Sequence, residues 1–235
     1  MDIIEQLKPE VKYLLEEGEG CHDWDHTLRV YNLSLHIGRI EGADLEILGM
    51  AALLHDIGRP AETKLREEGE AACHAQIGAI MAEGLLQTYG VGQEDIEKVK
   101  HCILTHRYSG GSGCAYKKAQ EEKEGQVNSK SMNPESKEAK ILFDADKLDN
   151  IGAIGLARAF NYSGTYGART HNPETQNENV RAYSREDTAY QYYIAKLVKI
   201  KDKLFTGEAR HIAKERHKFM EEFFKRLNEE CSGKK

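Results

Sequence analysis

His55 and Asp56 are neighbours at the end of the apolar run Ala51-Ala52-Leu53-Leu54, and Gly58 closes the stretch. An imidazole nitrogen beside a carboxylate oxygen suits a divalent metal of borderline softness. Adjacent residues on a helix differ by ~100° in direction, so the two share a site only at the edge of a buried face. A buried carboxylate without a partner is costly, and a metal would serve Asp56 as one; a metal-free His–Asp hydrogen bond is the plainer alternative. Two ligands are too few for a tight site, so more donors must come from elsewhere. The sequence offers His22 and His26, four apart on one helical face, then His74, His101 and His106, then Asp144, Asp146 and Asp149. The cations Arg29, Arg59, Lys64, Lys147 and Arg158 suit an anionic substrate or are ordinary surface charge. Three cysteines adjoin histidines, at Cys21-His22, Cys73-His74 and His101-Cys102. Neighbours on a helix point apart, so these cysteines read as small buried hydrophobes.

Helical spacing of apolar residues predicts the elements that position these groups. Ile3, Ile4, Leu7, Val11, Leu14 and Leu15 mark a helix over 3–17, ended by Gly18 and Gly20. Val30, Leu33, Ile37 and Ile40 mark a second over 22–41. Asp44 caps a third, from Leu45 to Ile57. It is apolar nearly all round between Leu48 and Leu54 and therefore belongs at the centre. Residues 59–70 are polar with one proline and read as a loop or an exposed helical turn. Helices follow from Ala71 and over 93–106, and residues 136–161 read as one helix carrying three aspartates. Residues 107–137 almost lose their apolar residues and read as a flexible insertion, either a lid or plain disorder. Residues 161–183 read as an irregular loop with His171 exposed. Two amphipathic helices, 184–204 and 207–230, carry stripes that serve as core or as a contact between copies of the chain. No period-two pattern persists, so the expected fold is all-α: one domain over 1–235, a helical bundle whose interior receives the ligands.

At 235 residues the chain can bury a real core without staples. Its net charge of −6 argues against a nucleic-acid-coating protein. No apolar run nears the ~20 residues of a membrane helix. The start Met1-Asp2-Ile3-Ile4-Glu5 carries no secretory pattern. Five cysteines without a Cys-x-x-Cys pair suggest no disulfide framework. The cytoplasm is the expected compartment.

Leu54-His55-Asp56-Ile57-Gly58 resembles the centre of the HD-domain metal-dependent phosphohydrolases. Their pattern is a histidine, a His-Asp pair and a distant aspartate. His26, in Asp25-His26-Thr27-Leu28-Arg29-Val30, is similar to the first, and Asp146, in Asp144-Ala145-Asp146-Lys147-Leu148, to the last. The resemblance runs from about His22 to about Phe160. It implies a helical bundle in which His26, His55, Asp56 and Asp146 bind a divalent ion: manganese, iron, cobalt, nickel, zinc or magnesium. The imidazoles disfavour magnesium. His74 and His106 resemble the extra histidines of six-ligand members, which implies a second metal or a pair that moves protons. Arg29, Lys64 and Lys147 are the expected substrate-binding cations. The implied reaction is hydrolysis of a phosphoester or phosphoanhydride of a small molecule, by analogy a nucleotide. The alternatives are a di-iron oxygenase of the same fold and a nucleotide-binding regulator without turnover.

Overall fold

The computed structural model describes residues 2–16, 23–107, 133–172 and 180–235, which contain helices and no strand. In order, these are α1 (Ile3–Leu15), α2 (Trp24–Glu41), α3 (Leu45–Leu54), α4 (Arg59–Glu67), α5 (His74–Thr88) and α6 (Gln93–Thr105). Then come α7 (Lys137–Leu148), α8 (Gly152–Thr165), α9 (Ala189–Ala195), a 3-10 segment (Leu197–Lys203) and α10 (Gly207–Cys231). Contacts group the chain into two compact units, Met1–Ala145 and Asp146–Lys235, and the division falls inside the unbroken helix α7.

The first unit is built around α3. Every residue from Ile47 to Leu54 is buried. Each large apolar side chain among them contributes about 1.5–3 kcal/mol by leaving water. The expected cap holds: Asp44 accepts hydrogen bonds from the amides of Glu46 and Ile47 at 3.0 and 3.1 Å. Helices α1, α2 and α6 pack on α3, and α5 packs on α6. Gly38 of α2 lets α3 come close, since a Cβ there would lie 2.6 Å from Leu48 Cδ2. Asp23 caps α2 by accepting from the amide of His26 at 2.8 Å, which fixes the first turn where that histidine sits.

The elements differ from the sequence expectation at several boundaries. Helix α3 ends at Leu54, and His55 to Gly58 form a turn instead of its last residues. Of residues 59–70, expected as a loop or an exposed helical turn, 59–67 are helical over nine residues. Pro60 supplies a preset φ in the first turn. Glu62 in that turn and Lys64 and Arg66 in the last complement the helix dipole. The single helix expected over 136–161 is two, broken at Asp149–Ile151. Gly152 has φ +83° there, and a Cβ on Gly155 would meet Asn150 O at 2.3 Å. The insertion expected over 107–137 lies mostly outside the described residues, at 108–132, as does His22. Its last residue opens α7: Lys137 Nζ donates to the carbonyls of Glu41 and Gly42 at 2.9 and 3.0 Å.

In the second unit, α8 and α10 pack together around Phe160, Phe223 and Phe224. Tyr190 and Tyr193 of α9 add their rings to Phe224 at 5.0 and 4.6 Å. The helix expected over 184–204 is shorter, because it starts at Ala189 and gives way to the 3-10 segment after Lys196. His171, expected to be exposed, is half-buried, with Nε2 2.6 Å from Asn228 Oδ1.

Candidate metal centre

Five buried side chains of the first unit converge from the ends of helices. His26 lies in the first turn of α2, His55 and Asp56 directly follow α3, His74 opens α5, and His106 directly follows α6. Helix ends leave unpaired carbonyls, and two of these histidines use them. His55 Nδ1 lies 2.8 Å from Ala52 O, and His106 Nδ1 lies 2.6 Å from Ile103 O. A carbonyl only accepts, so each Nδ1 carries the proton and each Nε2 presents its lone pair. His74 reaches the same state by another route, with Nδ1 3.0 Å from Glu62 Oε2.

The Nε2 atoms meet around Asp56. His26 Nε2 and His55 Nε2 are 3.4 Å apart, and each is 3.6 Å from Asp56 Oδ2. His74 Nε2 and His106 Nε2 are 3.3 Å apart and lie 3.4 and 3.6 Å from Asp56 Oδ1. Arg59 Nε also stands 2.6 Å from Asp56 Oδ2. One carboxylate thus faces two histidine pairs, one on each oxygen. His74 and His106 both use Nδ1 on an acceptor, and their Nε2 atoms face each other at 3.3 Å. Two facing lone pairs at that distance repel, and a proton or a metal ion between them relieves the contact. Burial pushes His74 down to about 4, against the raising effect of Glu62. Burial works against ionisation of Glu62 too. The hydrogen bond from His74 and the charges of His74 and Arg66 outweigh it and hold Glu62 at about 2.

Two groups have the spacing to hold a metal ion: His26, His55 and Asp146, and Asp56, His74 and His106. Within each, the donor atoms lie within 4.8 Å of one another. Asp146 stands on α7, one residue past Ala145, and is buried. Asp144, the alternative on the same helix, is fully buried and belongs to neither group. Nitrogen and carboxylate oxygen donors of this kind fit a borderline divalent ion.

The expected cations are placed differently. Lys147 Nζ donates to Asp146 Oδ2 at 2.7 Å. Lys64 is exposed on α4, and Arg29 is half-buried one turn along α2 from His26. Arg158 Nη1 pairs with Asp149 Oδ2 at 2.5 Å. His101 Nε2 instead accepts from the amide of Glu135 at 3.2 Å. Cys73 and Cys102 are buried thiols, and burial pushes Cys102 up to about 12, as suits a packing residue. Glu62 was not foreseen. Its signal was Pro60 as a helix start, which would have placed Glu62 and Arg66 four apart on one face.

A model of the HD domain matches residues 23–151. The protein YpgQ of Bacillus subtilis (strain 168) is 34% identical over 229 residues, spanning 97% of this chain and 94% of YpgQ. The crystal structure of YpgQ in complex with ADP is similar at a TM-score of 0.67 and 30% identity, covering 97% of this chain and 94% of that one. An HD-superfamily hydrolase from Bacillus thuringiensis is similar at a TM-score of 0.70 and 28% identity, covering 98% and 97%. Among the described residues, no helix is long and apolar enough to cross a membrane.

Proposed function

The chain belongs to the HD domain family, and from that premise we propose that it is a metal-dependent phosphohydrolase acting on a phosphoester or phosphoanhydride of a nucleotide. The observation that carries this reading is Asp56 between two histidine pairs, 3.4–3.6 Å from all four Nε2 atoms. His26, His55, Asp56 and Asp146 are the proposed ligands of a divalent ion. His74 and His106, with Asp56, hold a second ion or pass a proton to and from the reacting phosphate. YpgQ binds ADP in its crystal structure, which supports a nucleotide as substrate here.

A divalent ion bound in such a site lowers the pKa of a coordinated water and polarises a phosphoryl oxygen. The chain's own residues supply the rest. His55 and His106 are held by helix-end carbonyls, so their lone pairs need no reorganisation on binding. His74 is neutral at pH 7 and able to accept a proton at Nε2. Arg59, 26% exposed beside Asp56, and Arg29 are the proposed partners of the substrate's phosphate charge. Lys64 lies on the exposed face of α4, and Lys147 contributes through Asp146. The proposed setting is the cytoplasm, which suits the free cysteines Cys73, Cys102 and Cys231.

Phosphate and pyrophosphate release from a panel of nucleotides tests the reading, with metal-stripped protein reloaded with manganese or another divalent metal. Release with the reloaded protein, absent from Asp56→Ala, is the expected result, and the product identifies the bond cut. No release with any metal would overturn it, and oxygen uptake by the iron-loaded protein is then the next assay.

A further inference from the structure

Glu62 lies outside the proposed ligand set, yet it is 5% exposed and uses both carboxylate oxygens. Oε2 is 3.0 Å from His74 Nδ1. Oε1 accepts from Arg66 Nη2 at 2.9 Å, and Arg107 Nη1 approaches it at 3.6 Å. The carboxylate is therefore clamped from the outside by arginines and aimed inward at one imidazole. His74 differs here from His55 and His106, which find acceptors on their own helices. It opens α5, and the carbonyl of the preceding residue, Cys73, already accepts from the amides of Gln76 and Ile77 at 3.1 Å. Its orientation must come from another element, and α4 supplies it.

We propose that Glu62 is a positioning residue. It fixes His74 as the Nδ1–H tautomer and directs Nε2 at Asp56 and His106, so that these three bind a divalent ion distinct from the one that His26, His55 and Asp146 hold with the other oxygen of Asp56. This rests on the metal-binding reading above. A carboxylate behind a ligating histidine orients the ring and raises its basicity, and losing such a partner typically weakens metal binding about 10–100-fold. Helix α4 therefore contributes to the site without touching the ion.

The test uses the full chain, stripped of metal and titrated with Mn²⁺ by calorimetry, together with ring-nitrogen NMR of ¹⁵N-histidine protein to read the tautomer of His74. Glu62→Leu is expected to lose the Nδ1–H form of His74 and to bind one equivalent of Mn²⁺ roughly 10–100-fold more weakly. The other equivalent stays unchanged and reports an intact fold. Glu62→Gln keeps an acceptor oxygen and is expected to keep the tautomer and much of the affinity, which a purely packing role does not predict. The proposal is overturned if Glu62→Leu retains the tautomer and both affinities, or if both equivalents weaken together. Should Glu62→Leu fail to fold, Glu62→Gln decides, because loss of the Nδ1–H form there overturns the proposal. Wild-type protein that binds no divalent metal would remove the metal reading itself, while the tautomer comparison would still test Glu62.

Discussion

An imidazole has two nitrogens, and what holds one decides what the other can do. His55 and His106 show the same local solution, Nδ1 on the carbonyl three residues back at the end of a helix. This is why a histidine directly after an apolar run was informative in the sequence: the run ends, a carbonyl is left over, and the ring takes it. His26 and Asp146 were singled out in the sequence only through their similarity to a family pattern, since spacing alone left His22 and Asp144 as rivals. His217 shows the opposite outcome in the second unit. It is buried in α10, and burial lowers its pKa, with Lys201 adding to the effect and Glu221 and Asp202 opposing it. A histidine held neutral by the fold contributes stability that is present above its unfolded value of about 6.5 and lost as pH falls through the lower folded value. His217→Leu is therefore expected to flatten the decline in urea midpoint between pH 7 and pH 5. An unchanged slope would mean that other groups carry the acid sensitivity.

At the level of elements, the glycines show which contacts the fold cannot relax. A Cβ on Gly58 would stand 2.3 Å from His74 O and 2.6 Å from Gly78 N, both backbone atoms of α5. Backbone cannot rotate away as a side chain can, so Gly58→Ala must push α5 outward, at a cost of roughly 1–3 kcal/mol or more. Because α5 begins with His74, the same displacement is expected to weaken Mn²⁺ binding at the site containing His74. Gly84, in the same helix, has nothing within 4 Å of its Cβ position. Gly84→Ala is expected to stabilise the protein by about 0.5–1 kcal/mol and to leave metal binding alone. Thermal unfolding and Mn²⁺ titration of the two variants separate the cases, and equal effects would refute the packing argument. The glycine after the His-Asp pair was visible in the sequence, but what it faces was not, because that partner lies 16–20 residues away. Helix α4 was legible only as a choice between a loop and an exposed helical turn. Its apolar content is low, and charge pairing with Pro60 defines it instead of a hydrophobic stripe.

For the molecule as a whole, the sequence was most readable where burial is most complete. The all-α class and the central place of α3 follow from an apolar run that no surface helix could carry. The second unit was less readable. Its break at Asp149–Ile151 is accompanied by a tertiary contact, Arg216 Nη1 donating to Leu148 O at 2.5 Å. The histidines at the ends of α3 and α6 also have a consequence in time. A ring bonded to a carbonyl in the last turn of its own helix is tied to that turn, and swinging aside breaks the bond. Holding the ring from the Nε2 side must therefore hold the turn shut, and the linkage runs both ways. Hydrogen exchange at the amides of Leu54, His55, Thr105 and His106 is expected to slow when Mn²⁺ is added, with the amides of α9 unmoved. Equal rates with and without the ion would show that the rings and the helix ends move independently. If they move together, an ion leaves this protein no faster than two helices fray.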